Sequence, residues 1–146
     1  MTRIGQATML LHAGDREEAR NRLGALWEEL GADGDLLHRC TLAHYMADTQ
    51  EDPDTELAWD LRALGAAEEL SEERVARDDS AVALRSLYPS LHLNLAADYV
   101  KLRRPDAARV HLDRARAASE ALGDDGYGNG VRAAIGRLES RLGPQE

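Results

Sequence analysis

The chain lacks phenylalanine altogether, and its few aromatic rings come from four Tyr and two Trp among 146 residues. A core without Phe must be built largely from Leu, Ala and Val, and Ala and Leu are strong helix formers. No apolar run approaches the roughly 18 residues that a membrane-spanning helix needs. The first residues also lack the charged-then-apolar pattern that is typical of a signal peptide.

Cysteine and lysine each occur once. Cys40 has no second cysteine to pair with, which excludes an internal disulfide and favours a reducing compartment, so we predict a cytoplasmic location. Lys101 is the single lysine, whereas the chain contains 17 Arg. This preference for Arg over Lys, together with the many Ala, is typical of a GC-rich bacterial genome.

Positive charge is also scarce relative to negative charge, because the formal net charge is −9. Nucleic acid requires a basic footprint on the protein that binds it. Anionic membrane surfaces likewise attract basic segments. We therefore predict that neither nucleic acid nor a membrane is a partner.

Apolar residues recur at helical spacing along most of the chain, and no window alternates with the two-residue period of a strand. The pattern predicts an all-α fold of about seven helices joined by short turns. The predicted helices cover 2–12, 16–30, 36–48, 53–70, a segment from Asp79 or Ser80 to Leu102, 105–122 and 130–142.

Two features interrupt this pattern. Pro89 lies within the fifth helix and predicts a kink or a split near Tyr88. The charged segment 71–79 is interpreted as a connector, and whether residues 71–88 form a helix of their own stays open. The loop 123–130 matches neither a calcium loop nor a phosphate loop and is interpreted as a flexible linker. The tail 144–146 is expected to fray.

Small residues recur at one spacing near both ends of the chain. Ala7 and Ala19 are twelve residues apart, as are Ala96 and Ala108, and a Leu follows each pair at the same offset. Residues 92–112 keep every spacing of the tetratricopeptide motif, with His, Ala and Leu where that motif has Trp, Gly and Phe. The chain therefore resembles the tetratricopeptide repeat family.

This resemblance implies a short solenoid of stacked antiparallel hairpins in a single domain, 1–143. Its repeats would cover about 2–31, 36–70 and 90–122, followed by a capping helix over 130–142. The family mostly binds other proteins, so the resemblance implies a non-enzymatic adaptor or scaffold without a cofactor. Its partner would be a peptide or helix of another protein, held in a concave groove.

In this family the first helix of each repeat lines the groove. The groove positions implied for this chain are Thr8, Leu11, His12, Cys40, His44, Asp48, Leu93, Asn94, Ala97 and Lys101. Asn94 matches a position where the family often uses Asn to hold a peptide backbone, since an amide both donates and accepts hydrogen bonds. The family's two-carboxylate clamp for chaperone C-termini is missing from the matching positions.

Several alternatives remain open. Cys40, His44 and Asp48 share one helical face, which we interpret as an ordinary half-buried face. The alternative is a small enzyme or metal-binding protein in which these residues, with His12, bind zinc. His92 is interpreted as a core histidine. The segment 101–116 reads as a solvated face or as a docking patch for an acidic partner.

A further alternative is a self-associating structural module, in which apolar residues seed a homodimer. The candidate seeds are Leu11, Trp27 and Trp59. No nucleophile–base motif is present in the sequence, so we predict that the chain is not an enzyme.

Overall fold

In the computed structural model, residues 2–31, 33–72 and 79–143 are described, and all regular structure within these ranges is helical. The helices are α1 (Arg3–His12), α2 (Arg16–Leu30), α3 (Leu36–Asp48), α4 (Pro53–Glu72), α5 (Asp79–Lys101), α6 (Pro105–Ser119) and α7 (Gly126–Leu142). This confirms the prediction of an all-α fold with about seven helices. The tail 144–146 and most of the predicted connector 71–79 lie outside the described residues.

Aspartate residues begin several of these helices. Asp15, Asp35 and Asp125 each precede a helix, and each carboxylate accepts a hydrogen bond from the backbone N–H three residues later. Such an N-cap satisfies a donor that has no partner within the helix, and it stabilises the helix by about 1 kcal/mol. The predicted N-cap at Asp35 is confirmed.

The chain forms two compact units, which we call unit 1 (Met1–Glu72) and unit 2 (Glu73–Glu146). Unit 1 contains α1 to α4, and unit 2 contains α5 to α7. A compact unit is defined by its internal contacts and need not fold alone, so a single domain over 1–143 stays a prediction.

Unit 1 packs its helices in chain order, with α1 against α2, α2 against α3, and α3 against α4. Trp27 and Trp59 pack on its core, and their rings meet edge to face with centroids 5.1 Å apart. The core cluster beneath them consists of Ala7, Leu23, Leu42 and Met46. This chain order of contacts agrees with consecutive hairpins.

Unit 2 is an α5–α6 hairpin with α7 packed against both of its helices. Its core cluster consists of Ala96, Leu112, Ala115, Val131, Ile135 and Leu138. Apolar residues at helical spacing on α7 therefore meet the hairpin, as the predicted stripe of residues 131–142 requires.

The α1–α2 turn and the α5–α6 turn have the same backbone hydrogen bonds at a constant offset of 89 residues. The Asp15 N–H donates to the Leu10 carbonyl at 2.9 Å, and the Arg104 N–H donates to the Tyr99 carbonyl at 2.8 Å. Three further bonds around each turn match in the same way. The alanines of both spacing pairs are fully buried in the hairpins. Two distant segments thus fold into the same local structure.

Arginine side chains bind the C-terminal carbonyls of four helices. Arg39 donates to Gly31 at the end of α2, and Arg132 donates to Leu122, just beyond α6. Arg20 and Arg109 occupy equivalent positions in the α1–α2 and α5–α6 hairpins. Each donates to a carbonyl at the C-terminal end of the next helix along the chain, a contact that we describe as closing that helix. Arg20 donates twice to the Thr49 carbonyl after α3, and Arg109 donates to the Leu142 carbonyl of α7.

Helix α7 begins at Gly126, four residues earlier than predicted, so the interpretation of 126–130 as a flexible linker is wrong. The carboxylate of Asp125 accepts a hydrogen bond from the Gly128 N–H and thereby starts the helix. Gly128 is buried, and a Cβ atom there would collide with the Gly123 carbonyl oxygen. Glycine is thus a close-packing residue here, whereas the sequence pattern indicated a loop. Helix α6 also ends earlier than predicted, at Ser119.

The prediction for Pro89 is a kink or a split near Tyr88, and the split is wrong because helix α5 continues through Pro89. Proline lacks an N–H and disturbs the helical hydrogen bonds in the preceding turn. A side chain from α7 reaches that turn, because the Tyr127 hydroxyl donates to the Ser86 carbonyl at 2.8 Å. The same hydroxyl lies 2.6 Å from Ser90 Oγ. This contact from outside the helix helps to explain why the proline is tolerated.

Candidate functional site

The predicted groove residues of α1 have different environments. The Thr8 hydroxyl donates to the Ile4 carbonyl of its own helix at 2.9 Å, Leu11 is half-buried, and His12 is exposed. Of these three residues, only His12 is exposed to solvent.

The predicted groove residues of α3 include two groups with altered pKa. Cys40 is fully buried, and burial raises the pKa of its thiol to about 12. Burial also lowers the pKa of His44, although the nearby Asp48 carboxylate opposes that change. A thiol that stays protonated is a poor nucleophile and a poor metal ligand.

Within the described part of the chain, no three of Cys40, His44, Asp48 and His12 bring ligand atoms within 4.8 Å of one another. Zinc is usually held by three or four such atoms at about 2.0–2.3 Å from the ion. The four residues therefore do not form an assembled zinc site in this structure.

The predicted groove residues of α5 divide into two pairs. Leu93 and Ala97 pack against the core cluster of unit 2, where α7 contributes half of the buried residues. Asn94 is half-buried, and Lys101 is exposed at the end of the helix. The pair formed by Asn94 and Lys101 is therefore the polar part of this face.

An apolar cleft in unit 1 lies outside the predicted groove. It has a volume of about 300 Å³ and is lined by Ile4, Leu26, Glu29, Leu30, His38 and Leu42. A volume near 300 Å³ is at the low end for small-molecule sites, which run from about 300 to 1,000 Å³. The sequence alone does not indicate this cleft, because its lining comes from three separate helices. Two of these helices, α1 and α3, contribute residues from their first turns.

The two tryptophans are covered on their faces by guanidinium groups. Arg39 lies 4.5 Å from the Trp27 ring centroid, and Arg62 lies 4.4 Å from the Trp59 centroid. Both indole rings are half-buried. A ring that already packs on the core and carries a cation on its face offers little apolar area to a second copy of the chain.

A pair of histidines bridges α5 and α6 in unit 2. The Nδ1 atoms of His92 and His111 are 3.1 Å apart, and the ring centroids are 5.3 Å apart. The distance between the ring centroids is greater than the distance between the two Nδ1 atoms by about two imidazole ring radii. The two Nδ1 atoms therefore lie between the rings and face each other, as in an N–H···N hydrogen bond. Tyr88 and Tyr99 flank the pair on either side.

Both histidines are held in the neutral form. Burial, together with the neighbouring His111 and Arg114, lowers the pKa of His92 to about 4. Burial and Arg114 also lower the pKa of His111. His92 is thus a buried histidine with a hydrogen-bond partner, in agreement with its interpretation as a core residue.

The two units differ in charge. Residues 1–72 contain 16 acidic and six basic side chains, a net charge of −10, whereas residues 73–146 contain 11 acidic and 12 basic side chains, a net charge of +1. The negative charge of the chain therefore belongs to unit 1. Net charge of this size steers the approach of charged partners over distances longer than a hydrogen bond.

Among the described residues of unit 2, the most basic exposed segment is the α5–α6 turn. Lys101, Arg103 and Arg104 occupy three of four consecutive positions and are all exposed. Arg103 has a positive φ of 61° and is the single non-glycine residue with positive φ among those described. Arg104 is the N-cap residue of α6, but its side chain makes no capping hydrogen bond.

Comparisons with protein-family models, with curated proteins and with solved structures find no match to this chain. Function is therefore inferred from the residues themselves. Among the described residues, no helix has the length and hydropathy required to cross a membrane.

Proposed function

We propose that the chain is a non-enzymatic protein-interaction module built from tetratricopeptide-like hairpins. The first helix of a hairpin would hold a peptide or helix of another protein through apolar contacts and a few hydrogen bonds. Asn94 and Lys101 on α5 would supply the polar contacts in unit 2.

The observation that carries this proposal is the repeated hairpin. The α1–α2 and α5–α6 turns share their backbone hydrogen bonds, and equivalent arginines, Arg20 and Arg109, close the helix after each hairpin. Repeated helical hairpins are typical of modules that present an extended binding surface to a partner.

Three potentially reactive side chains have environments unsuited to catalysis. The Cys40 thiol is buried with a raised pKa, and the His92–His111 pair is neutral and internally hydrogen-bonded. A general base or nucleophile must reach its substrate and titrate near the working pH. These groups support the non-enzymatic part of the proposal.

The experiment is capture of a partner from the lysate of the native host, identified by mass spectrometry. The test bait carries Asn94→Ala and Lys101→Glu. The control bait carries Asn21→Ala and Arg16→Glu, which are the same kinds of change on α2. Circular dichroism establishes that both variants stay folded.

The proposal expects a partner that wild type and control retain and that the test bait loses. Equal capture by all three baits would move the interface away from the first helix and contradict this role of α5. Absence of any specific partner would contradict the whole proposal.

A self-associating module is the second candidate. It is favoured by two exposed apolar side chains of unit 1, Met9 at 56% and Leu61 at 43% exposure. Light scattering at micromolar concentration tests it, because a strict monomer excludes a stable dimer.

A further inference from the structure

The α5–α6 turn differs from its counterpart in charge, although the backbone is the same. Residues 12–17 of the α1–α2 turn carry a net charge of −1, and the equivalent residues 101–106 carry +2. The exposed basic residues of the second turn are Lys101, Arg103 and Arg104, and Asp106 is their acidic neighbour.

The arginines of this turn oppose stability. Gly14 adopts a positive φ of 90° in the first turn, where glycine is unstrained, and Arg103 occupies the equivalent left-handed position. A residue with a Cβ atom loses about 1 kcal/mol there. Asp15 caps α2 with its carboxylate, whereas its equivalent Arg104 provides no side-chain cap.

The fold does not require these arginines, because the first turn makes the same hydrogen bonds with Gly and Asp. Other arginines close helix ends, but the side chains of Arg103 and Arg104 are exposed and take no part in those contacts. A strained and uncapped turn that carries concentrated charge therefore indicates a role outside the folded chain.

We propose that the α5–α6 turn is a docking surface for an acidic segment of a partner protein. This rests on the proposed function, since it takes the partner to be a protein. Guanidinium groups bind carboxylates through paired hydrogen bonds, so two adjacent arginines suit a run of Asp or Glu.

The charge of the whole chain adds selectivity to this surface. A net charge of −9 repels extended polyanions such as nucleic acid, while a local charge of +2 still attracts a short acidic segment within a Debye length of about 10 Å. Complementary charge mainly sets partner choice and association rate.

The test uses the full chain and a variant that carries the first turn in place of the second, Arg103→Gly with Arg104→Asp. The control variant, Arg137→Gln with Arg141→Glu, makes the same change of net charge on exposed positions of α7. Two short fluorescein-labelled peptides, one of Glu and Leu and one of Lys and Leu, are titrated by fluorescence anisotropy at about 0.1 M salt.

The expected result is that wild type and control bind the Glu-Leu peptide, and that the turn variant binds it about tenfold more weakly. The turn variant should also unfold at higher urea concentration than wild type, so that loss of binding cannot be attributed to unfolding. The turn variant should not weaken binding of the Lys-Leu peptide, because the two substitutions only make the turn more negative.

Equal weakening by the turn variant and the control would mean that net charge alone is responsible, and would overturn the proposal. A wild type that does not bind the Glu-Leu peptide would overturn it as well. Either result leaves the capture of a partner through Asn94 intact, so failure here is distinct from failure of the proposed function. Dimerisation that the turn variant abolishes, with no peptide binding, would identify a second copy as the occupant and overturn the choice of partner.

Discussion

The α1–α2 hairpin of unit 1 and the α5–α6 hairpin of unit 2 share one backbone pattern and fill it differently. His92 and His111 of unit 2 occupy the positions that Arg3 and Arg22 occupy in unit 1. The two histidines bond to each other across the hairpin. The two arginines instead pair with acidic residues and leave a cleft of about 250 Å³.

This difference shows which parts of the hairpin are structural. Small buried residues and the turn hydrogen bonds are common to both copies, so they are what the fold requires. The two facing positions, which hold Arg3 and Arg22 in unit 1 and His92 and His111 in unit 2, accept either charged or neutral aromatic side chains. Chemical character therefore varies where the backbone does not constrain it.

The largest expected effect concerns the shared core. Leu23 of unit 1 and Leu112 of unit 2 are equivalent and nearly inaccessible to solvent. Truncation to Ala at either position should lower the free energy of unfolding by about 2–5 kcal/mol, since it removes buried methyl groups and leaves a cavity. Urea denaturation followed by circular dichroism measures this loss. Leu61→Ala, on an exposed position of α4, should change stability by less than about 0.5 kcal/mol.

The next effect separates the two equivalent arginines. Arg20→Gln should lower the free energy of unfolding by about 2 kcal/mol. Arg20 donates two hydrogen bonds to the carbonyl of Thr49, and Thr49 is fully buried. Arg109→Gln should lower the free energy of unfolding by about 1 kcal/mol, because the Leu142 carbonyl that accepts its hydrogen bond lies at a more exposed helix end. Equal losses in urea denaturation would show that burial does not set the strength of these contacts.

The histidine pair predicts a pH dependence that belongs to unit 2. Since the folded chain lowers the pKa of both rings, the unfolded chain binds protons more readily below about pH 6.5. The stabilisation is complete above that pH and is lost as the pH falls toward 4. We expect His92→Phe to reduce the loss of stability between pH 7 and pH 4.5 by about 1–2 kcal/mol.

Urea denaturation at several pH values provides this measurement, and His12→Gln serves as a control on an exposed histidine. The comparison must be made between variants, because the many carboxylates of unit 1 also contribute to acid denaturation. A pH profile of His92→Phe that matches wild type would contradict the assignment.

The smallest effect is at the turns. Arg103→Gly should raise stability by about 0.5–1 kcal/mol, since glycine accepts a positive φ without strain. The reverse change in unit 1, Gly14→Arg, should lower stability by about the same amount. Thermal unfolding of both variants checks the pair, and a shift of the same sign in both would show that the two turns are not equivalent.

Most helices were predictable because their signals are local. The bounds of α2 and α3 follow from Asp15, Asp35 and regular apolar spacing, and the structure reproduces them. Alanine spacing also indicated the two equivalent hairpins before their turns were known. Such signals depend on residues within one or two turns of the helix and need no tertiary information.

The differences arise where distant residues decide the local structure. Tyr127 of α7 contacts the turn before Pro89, so the continuity of α5 involves a residue far away in the sequence. The start of α7 is encoded locally by Asp125, but the glycines that follow it indicated a loop. The His92–His111 bond and the cleft of unit 1 need the packing of separate helices. The sequence also does not reveal the strain at Arg103. The positive φ of this residue is apparent only in the folded turn, where it can be compared with that of Gly14.

The arginine contacts at helix ends determine how large an exchangeable segment of this chain can be. Arg20 belongs to α2 but closes α3, and Arg109 belongs to α6 but closes α7. A hairpin moved alone, by recombination or in a designed chimera, would leave the following helix without its closing donor. The smallest segment that carries its own helix ends is therefore a hairpin together with the next helix, three helices in all.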